Sequence, residues 1–182
     1  MEGEDANEKQ HNNNNKKQRI CTPQKEECTT GSILFVNDKS LFDAAQTGEL
    51  KRVIELCPVS NIDSRYSYVN ANGTTVHDTT PLFIACRQNH KTIVNVLLNR
   101  GANIEAVNCY RDTSLLVACQ QGHKKVVEIL LNRRSNIEAV NCYGETSLLA
   151  ACQKGHTEIT KVLLERDPYI GAAYCKRQPR FV

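Results

Sequence analysis

Apolar residues recur in one arrangement three times between Thr80 and Arg166. Each copy opens with a threonine, continues with a segment rich in Leu, Ala and Cys, and closes with a pair of leucines. The opening residues Thr80, Thr113 and Thr146 lie 33 positions apart. Within a copy the apolar positions predict two short helices, because each segment carries a stripe wide enough to be buried against neighbours. A fixed period of this size predicts a stack of similar units.

Two kinds of turn separate the predicted helices. The turns within units fall at Gln88-Asn89, Gln121-Gly122 and Lys154-Gly155. Units are joined by residues 103–110, which recur without change at 136–143 and show no helical period, so we expect them to project from the stack. Gly101 stands where a helix end favours a left-handed residue, whereas the next copy has Arg134 there. Arg134 therefore predicts a strained or different closure.

A divergent first copy precedes the regular ones, and residues 41–56 predict its two short helices. Its Ala44 corresponds to Ala85, 41 positions later, so this spacing exceeds the period by eight residues. The excess lies in residues 66–79, around Asn72-Gly73. Asn-Gly is a strong signal for a tight hairpin turn, whose central residues must accept positive φ. We therefore expect an enlarged hairpin loop between the first and second units.

The two ends of the chain differ from the repeated part in composition. Residues 1–31 are polar and Asn-rich, and such a segment buries too little apolar surface to offset its ordering entropy, which predicts a disordered tail. Within it, Lys16-Lys17-Gln18-Arg19 is either a nuclear import signal or a solvated charge cluster. The apolar run Ile33-Leu34-Phe35-Val36 is expected to pack on the first unit. Residues 171–182 are predicted to be a basic tail without a further repeat.

Composition limits the possible functions. The chain has 182 residues and a formal charge of +3, from 23 basic and 20 acidic residues. That balance argues against a dedicated nucleic-acid binder, which carries a basic patch or stripe. No run of about 18 apolar residues is present, so no membrane span is predicted. Without an apolar signal region we expect a cytoplasmic or nuclear protein, in which the nine cysteines stay reduced.

These units resemble the ankyrin repeat. The matching marks are Thr80-Pro81-Leu82, the Gly-His pairs at 122–123 and 155–156, the paired leucines and Gly101-Ala102-Asn103-Ile104. The resemblance implies an all-α repeat solenoid of stacked helix-turn-helix ankyrin repeats with projecting β-hairpin-like turns, and no catalysis. It predicts a domain at 32–170, with repeats at about 40–66, 80–112, 113–145 and 146–170 and the enlarged loop at 66–79.

The threonine motif departs from the family pattern at its last position. The family usually has a histidine there, which bonds back to the threonine. Phe83, Leu116 and Leu149 stand in its place, so apolar packing must compensate for that hydrogen bond.

Cysteine and histidine recur four residues apart in each regular unit. The pairs are Cys86 with His90, Cys119 with His123 and Cys152 with His156. One interpretation is a metal site, redox sensor or cysteine nucleophile. We favour packing, because a buried thiol acts as a small hydrophobe and repetition follows from the architecture. No metal or cofactor is predicted. Cys109 and Cys142 are expected to be exposed at the projecting turns, where regulatory oxidation is an alternative.

Tyr110 and Tyr143 suggest a binding surface, because large amphipathic rings on projecting turns are typical interface anchors. The alternative is that each ring packs along its own turn or on the next one. The resemblance implies that a partner protein meets the concave face formed by turns and first helices. That face comprises Gln46, Thr47, Arg87, Gln88, Val107, Cys109, Tyr110, Asp112, Gln120, Gln121, Val140, Cys142, Tyr143, Glu145, Gln153 and Lys154. A regulator that sequesters a transcription factor or signalling protein is an alternative role.

Overall fold

The computed structural model describes residues 39–57 and 61–166. The predicted tails, the basic cluster and the apolar run at 33–36 lie outside these residues. The elements are α1 (Lys39–Thr47), α2 (Leu50–Leu56), β1 (Tyr66–Val69), β2 (Thr75–Thr79), α3 (Pro81–Arg87), α4 (Lys91–Asn99), α5 (Ser114–Gln120), α6 (Lys124–Asn132), α7 (Ser147–Gln153) and α8 (Thr157–Arg166).

The helices form four pairs that stack along one direction. The first helices α1, α3, α5 and α7 pack on one another in sequence, and the second helices α2, α4, α6 and α8 do the same. Leu82, Ile84, Leu115 and Leu130 are fully buried between them and belong to one continuous apolar core. The predicted helix-turn-helix solenoid is therefore confirmed. Among the described helices, none combines the length and apolar character needed to cross a bilayer.

Each regular first helix begins with the repeated threonine. Its hydroxyl oxygen accepts a hydrogen bond from the backbone N–H three residues later, in the pairs Thr80 and Phe83 (3.3 Å), Thr113 and Leu116 (3.1 Å), and Thr146 and Leu149 (3.2 Å). A cap of this kind stabilises a helix by about 1 kcal/mol. The threonines therefore keep a capping role without the family's histidine. Phe83 and Leu116 are buried, which agrees with the expected apolar compensation.

The three repeated histidines tie each unit to the one before it. Their Nε2 atoms lie close to carbonyl oxygens at the ends of preceding first helices: His90 to Gln46 (3.1 Å), His123 to Arg87 (3.0 Å) and His156 to Gln120 (3.2 Å). Because a carbonyl only accepts, Nε2–H is the donor in each pair. These bonds satisfy carbonyl groups that a helix end leaves without an intrahelical partner.

A second repeated bond joins the units at the opposite end of the second helices. The N–H of Asn103 donates to Oδ1 of Asp63 (2.9 Å), and one period later the N–H of Asn136 donates to Oε1 of Glu105 (2.9 Å). Both carboxylates belong to the preceding unit. The second and third units are therefore each held to the preceding unit by polar contacts on two sides of the apolar core.

The enlarged loop at 66–79 is an antiparallel hairpin of β1 and β2. Its strands pair Tyr68 with Val76 and Val69 with Thr75, and a bulge interrupts the register between Tyr66 and Tyr68. The Asn-Gly prediction was right about the hairpin and wrong about the turn. Gly73 has φ of 76°, but Asn72 is not among the described residues with positive φ. The turn instead spans three residues and depends on the Asn70 side chain.

The helix end at Arg134 is strained rather than differently closed. Arg134 has φ of 62°, and Gly101 has φ of 87° at the equivalent position. One residue later, the N–H of Ser135 donates to the carbonyl of Leu130 (3.1 Å), as the N–H of Ala102 donates to the carbonyl of Leu97 (3.0 Å). The closure is thus shared, and Arg134 adopts a conformation that costs an L-residue about 1 to 2 kcal/mol.

The histidine contacts predict that alanine at Gly122 and alanine at the equivalent Gly155 lower the free energy of unfolding by different amounts. Gly122 and Gly155 have φ of 78° and 73°, so alanine is strained at both. At Gly122 the added Cβ also lies 2.6 Å from Cε1 of His156, whereas at Gly155 no described atom lies within 4 Å. We expect Gly122→Ala to lower the free energy of unfolding by about 1 to 3 kcal/mol more than Gly155→Ala.

Urea denaturation of both variants measures this difference. Equal losses would mean that the imidazole moves aside without cost, and the contact would not fix the spacing between units.

Candidate protein interface

Three projecting turns share one backbone geometry, built around Asn70, Asn108 and Asn141. In each turn the asparagine Oδ1 accepts from the N–H groups two and four residues later, at distances of 2.9 or 3.0 Å. The asparagine N–H donates to the carbonyl four residues later, at 2.9, 3.2 and 3.1 Å in turn order. We call residues 70–74, 108–112 and 141–145 the Asn tips. The asparagine side chain determines the shape of each Asn tip more than the other residues of the tip do.

The fourth position of each Asn tip adopts positive φ whichever residue is present. Gly73, Arg111 and Gly144 have φ of 76°, 62° and 73°. The replacement of glycine by Arg111 therefore leaves the turn unchanged. The asparagine bonds hold the arginine in a conformation that it disfavours alone.

Backbone hydrogen bonds connect the tips into one row. The N–H of Cys142 donates to the carbonyl of Tyr110 (2.9 Å), and the N–H of Cys109 donates to the carbonyl of His77 on β2 (3.2 Å). Cys109 Sγ also accepts from the N–H of His77 (3.4 Å). Both cysteines are half-buried. The expectation of exposed thiols at the tips was wrong, because both cysteines are partly covered and the thiol of Cys109 contacts the preceding turn.

Two acidic residues of the predicted face take part in a network that supports the row. Asp112 accepts from the side-chain amides of Asn108 (3.2 Å) and Asn141 (3.0 Å). Glu145 accepts from the amides of Asn141 (3.2 Å) and Gln120 (3.0 Å). Burial raises the pKa of Asp112, the two amide donors oppose that shift, and the charge of Glu145 adds to it. These groups are already engaged within the chain and position the tips.

The tip tyrosines form the most prominent apolar feature of the row. The rings of Tyr110 and Tyr143 stack with centroids 6.4 Å apart and planes inclined by 24°. Tyr110 is half-buried by this contact, whereas 65 % of Tyr143 is exposed. Both interpretations of the rings therefore apply. The ring of Tyr110 packs on the next tip, and Tyr143 keeps most of its surface exposed.

A groove of about 380 Å³ lies beside the row, between the hairpin and the first helices. Arg87 lies over the ring of Tyr68, with the guanidinium carbon 5.0 Å from the centroid. Tyr110, Asp112 and Gln121 also contribute to the lining. Burial raises the pKa of Tyr68, and the charge of Arg87 opposes that shift. Residues from two tips, two strands and two helices thus share one concave surface.

Comparison with known families agrees with this architecture. A family model described as Ankyrin repeats (3 copies) matches residues 11–108 and 102–174, which together span most of the chain. The chain belongs to the ankyrin repeat family. Ankyrin repeats are generally protein–protein interaction modules. No curated protein sequence matches the chain.

The remaining predicted residues of the ankyrin face fall into three groups. Thr47, Gln88, Gln121, Gln153 and Lys154 are exposed at the turns between paired helices. Val107 and Val140 instead form short bridges to the threonines that begin the next helices, and Val140 keeps 42 % exposure. The backbone carbonyls of Gln46, Arg87 and Gln120 accept the histidine bonds, which leaves their side chains to line the surface.

Tyr68 was missing from the predicted face. Its position follows from the alternation in Tyr66-Ser67-Tyr68-Val69, where the tyrosines are half-buried and the intervening residues exposed. That alternation indicates a strand with one packed face. Because residues 66–79 were predicted to be an enlarged loop, this strand and its packed face were not predicted.

The repeated Cys–His pairs do not form a site. Each histidine ring is bonded to a carbonyl of the preceding repeat, and Cys86 and Cys119 are fully buried. Burial raises the pKa of both thiols, to about 12 for Cys119, and the hydroxyls of Ser114 and Ser147 oppose this shift only in part. Among the described residues, no group of three His, Cys, Asp or Glu side chains is placed to hold a metal ion. The geometry therefore favours packing.

The tip network predicts a specific loss of order in Asn141→Ala. This change removes the acceptor for the N–H groups of Tyr143 and Glu145 and a donor to Asp112. We expect the free energy of unfolding to fall by about 1 to 3 kcal/mol and hydrogen exchange at those two amides to accelerate.

Asn136→Ala is the matched control, because exposed Asn136 accepts one bond, from the N–H of Glu138 (3.0 Å). Equal losses of stability and unchanged exchange in Asn141→Ala would contradict the supporting role of the tip asparagine.

The buried thiols predict a pH-dependent loss of stability. An unfolded cysteine ionises near its ordinary pKa of 9.0, whereas folded Cys119 stays protonated to about 12. Between these values the folded state holds a proton that the unfolded state has lost. The free energy of unfolding then falls as pH rises, by up to about 1.4 kcal/mol per pH unit for each thiol.

Cys119→Ala removes one such contribution, so its stability should decline less steeply than the parent's from about pH 9 to about pH 11. Urea denaturation across that range measures the slope, with Cys152→Ala, at the equivalent but exposed position, as control. Parallel slopes for Cys119→Ala and the parent would show that the folded thiol ionises normally.

Proposed function

We propose that this ankyrin repeat chain is a non-catalytic module that binds a partner protein through its Asn tips and the adjoining groove. The largely exposed Tyr143, whose ring stacks on Tyr110 within a hydrogen-bonded row, carries the proposal. An aromatic ring with 65 % of its surface open, held by a supported backbone, has the character of an interface anchor. Its burial by a partner requires little loss of side-chain freedom.

Preorganisation supports the same conclusion. Association costs free energy for every loop and side chain that becomes ordered. Here the tips are already fixed by their asparagine bonds, by the N–H of Cys142 to Tyr110, and by the amide network around Asp112. A partner therefore meets a surface whose shape is set before contact. Rigid display of this kind is a binding function and involves no bond-making step.

Besides the aromatic contact at the tips, the groove offers a charged side chain, Arg87, for contact with a partner. Arg87 is half-buried, and none of the ion pairs formed by the described residues includes it. Its guanidinium face rests on Tyr68, so its N–H groups remain available at the groove. An arginine fork binds a carboxylate in a bidentate manner. We infer that the partner places an acidic side chain or chain terminus near Arg87.

Tyr143→Ala tests the proposal. After affinity capture from the source cells and identification of the bound protein, we expect this change to weaken the purified interaction by roughly 30-fold or more, as for an interface anchor worth about 2 kcal/mol. The melting temperature should change little, because most of the ring is exposed. Adding Tyr110→Ala should abolish capture.

Ile54→Ala is the matched control, since Ile54 is an exposed apolar residue of α2, on the layer of second helices. It should leave affinity unchanged. A Tyr143→Ala variant that binds the identified partner with the parent's Kd would overturn the assignment of the tips as the interface.

A further inference from the structure

The hairpin that begins the row of tips has an open outer edge on β1. Asn70 donates its N–H to the carbonyl of Thr74 (2.9 Å), and Val69 is the next paired position, opposite Thr75. Because hydrogen-bonded and non-hydrogen-bonded pairs alternate in an antiparallel ladder, the N–H and C=O of Val69 point away from β2. No turn or loop hydrogen bond among the described residues reaches them. The Val69 side chain is also 64 % exposed.

Every later turn in the row is paired with the turn before it. The N–H of Cys109 donates to His77 on β2, and the N–H of Cys142 donates to Tyr110. The inner side of the hairpin is therefore covered by the next tip. Its outer side, on β1, is where a preceding turn would pair.

Chain topology brings one segment to that position. In the later repeats, the residues immediately before each first helix run along the row: β2 precedes α3, and the Asn tips precede α5 and α7. The corresponding residues of the first repeat are those before α1. The start of α1 lies against β1, since the ring of Phe42 is 5.0 Å from that of Tyr66 and 6.4 Å from that of Tyr68.

We propose that residues 33–36, Ile-Leu-Phe-Val, add to the outer edge of β1 as a third strand. The run ends three residues before Lys39, where α1 begins, and three residues span up to roughly 10 Å. Its four residues match the four of β1 in length. Ile, Phe and Val favour strands, and the run contains no charge, proline or glycine that would oppose pairing.

The surroundings of the edge fit alternate side chains of such a strand. A groove of about 530 Å³ lies between α1 and β1, lined in part by Phe42, Gln46, Tyr68 and Val69. A strand paired with β1 turns every second side chain toward this groove. Burial of two large apolar side chains there stabilises the pairing. The third strand would also close an edge that otherwise invites pairing with other chains.

Hydrogen exchange at the Val69 amide in the full chain tests the proposal. We expect exchange about 100-fold slower than in an unstructured peptide. Leu34→Pro and Phe35→Pro each fix φ and remove one N–H of the added strand. At least one of them should reduce the Val69 protection about tenfold or more, and the two should differ, because neighbouring N–H groups point to opposite sides. Asn13→Pro, in the Asn-rich segment, should leave the protection unchanged.

Protection of the Cys142 amide, bonded to Tyr110, serves as the internal reference for a folded stack. A Val69 amide that exchanges freely in the parent chain would overturn the proposal. So would protection that persists in both proline variants. Protection that grows with protein concentration, accompanied by a dimer in sedimentation, would assign the edge to a second copy of the chain instead.

Discussion

The contact between consecutive repeats is the constraint on which the rest of this structure depends. A single pair of seven- to ten-residue helices cannot bury both of its apolar sides, so each repeat is completed by its neighbours. The imidazole bond from His156 to the carbonyl of Gln120 fixes how closely two repeats approach. At this interface the ring occupies the space that a Cβ on Gly122 would take. The same bond forms from His123 to Arg87, where Asn89 holds the glycine position with φ of 63°. The polar contact is therefore the constant feature of the spacing between repeats.

In the projecting turns, the residues that support the backbone differ from the residues that form the exposed surface. Asn108 and Asn141 shape the backbone through their side-chain oxygens, and their amides hold Asp112 and Glu145. The asparagine bonds that define these turns use backbone N–H groups and not the side chains of Tyr110 and Tyr143. We therefore interpret the exposed aromatic residue there as a feature of recognition.

Most of the fold followed from the sequence because the periodic residues report packing directly. The threonines marked the helix starts, and the Leu, Ala and Cys positions marked the buried faces. The period could not reveal which atoms meet across repeats. Cys109 was expected at an exposed tip, yet its neighbour His77 is contributed by an insertion outside the period. Tyr68 was missed for the same reason. The spacing of Cys and His allowed a site within each unit as one interpretation, whereas the hydrogen-bond partners of the histidines lie 36 or 44 residues earlier.

The repeated hydrogen bonds between units all run in one direction along the chain. The later repeat supplies the donor and the earlier one the acceptor in the histidine contacts, in Cys142 to Tyr110, in Asn136 to Glu105, and in the guanidinium of Arg133 to Asn99 (2.6 Å). Synthesis proceeds from the N-terminus, and domains fold in that order. For these repeated bonds, each repeat that leaves the ribosome finds its acceptors already in place, whereas unrepeated bonds such as Arg65 to the carbonyl of Val107 and Lys124 to Glu158 run the other way. The direction of these bonds makes the stack suited to growth by addition at its newest end.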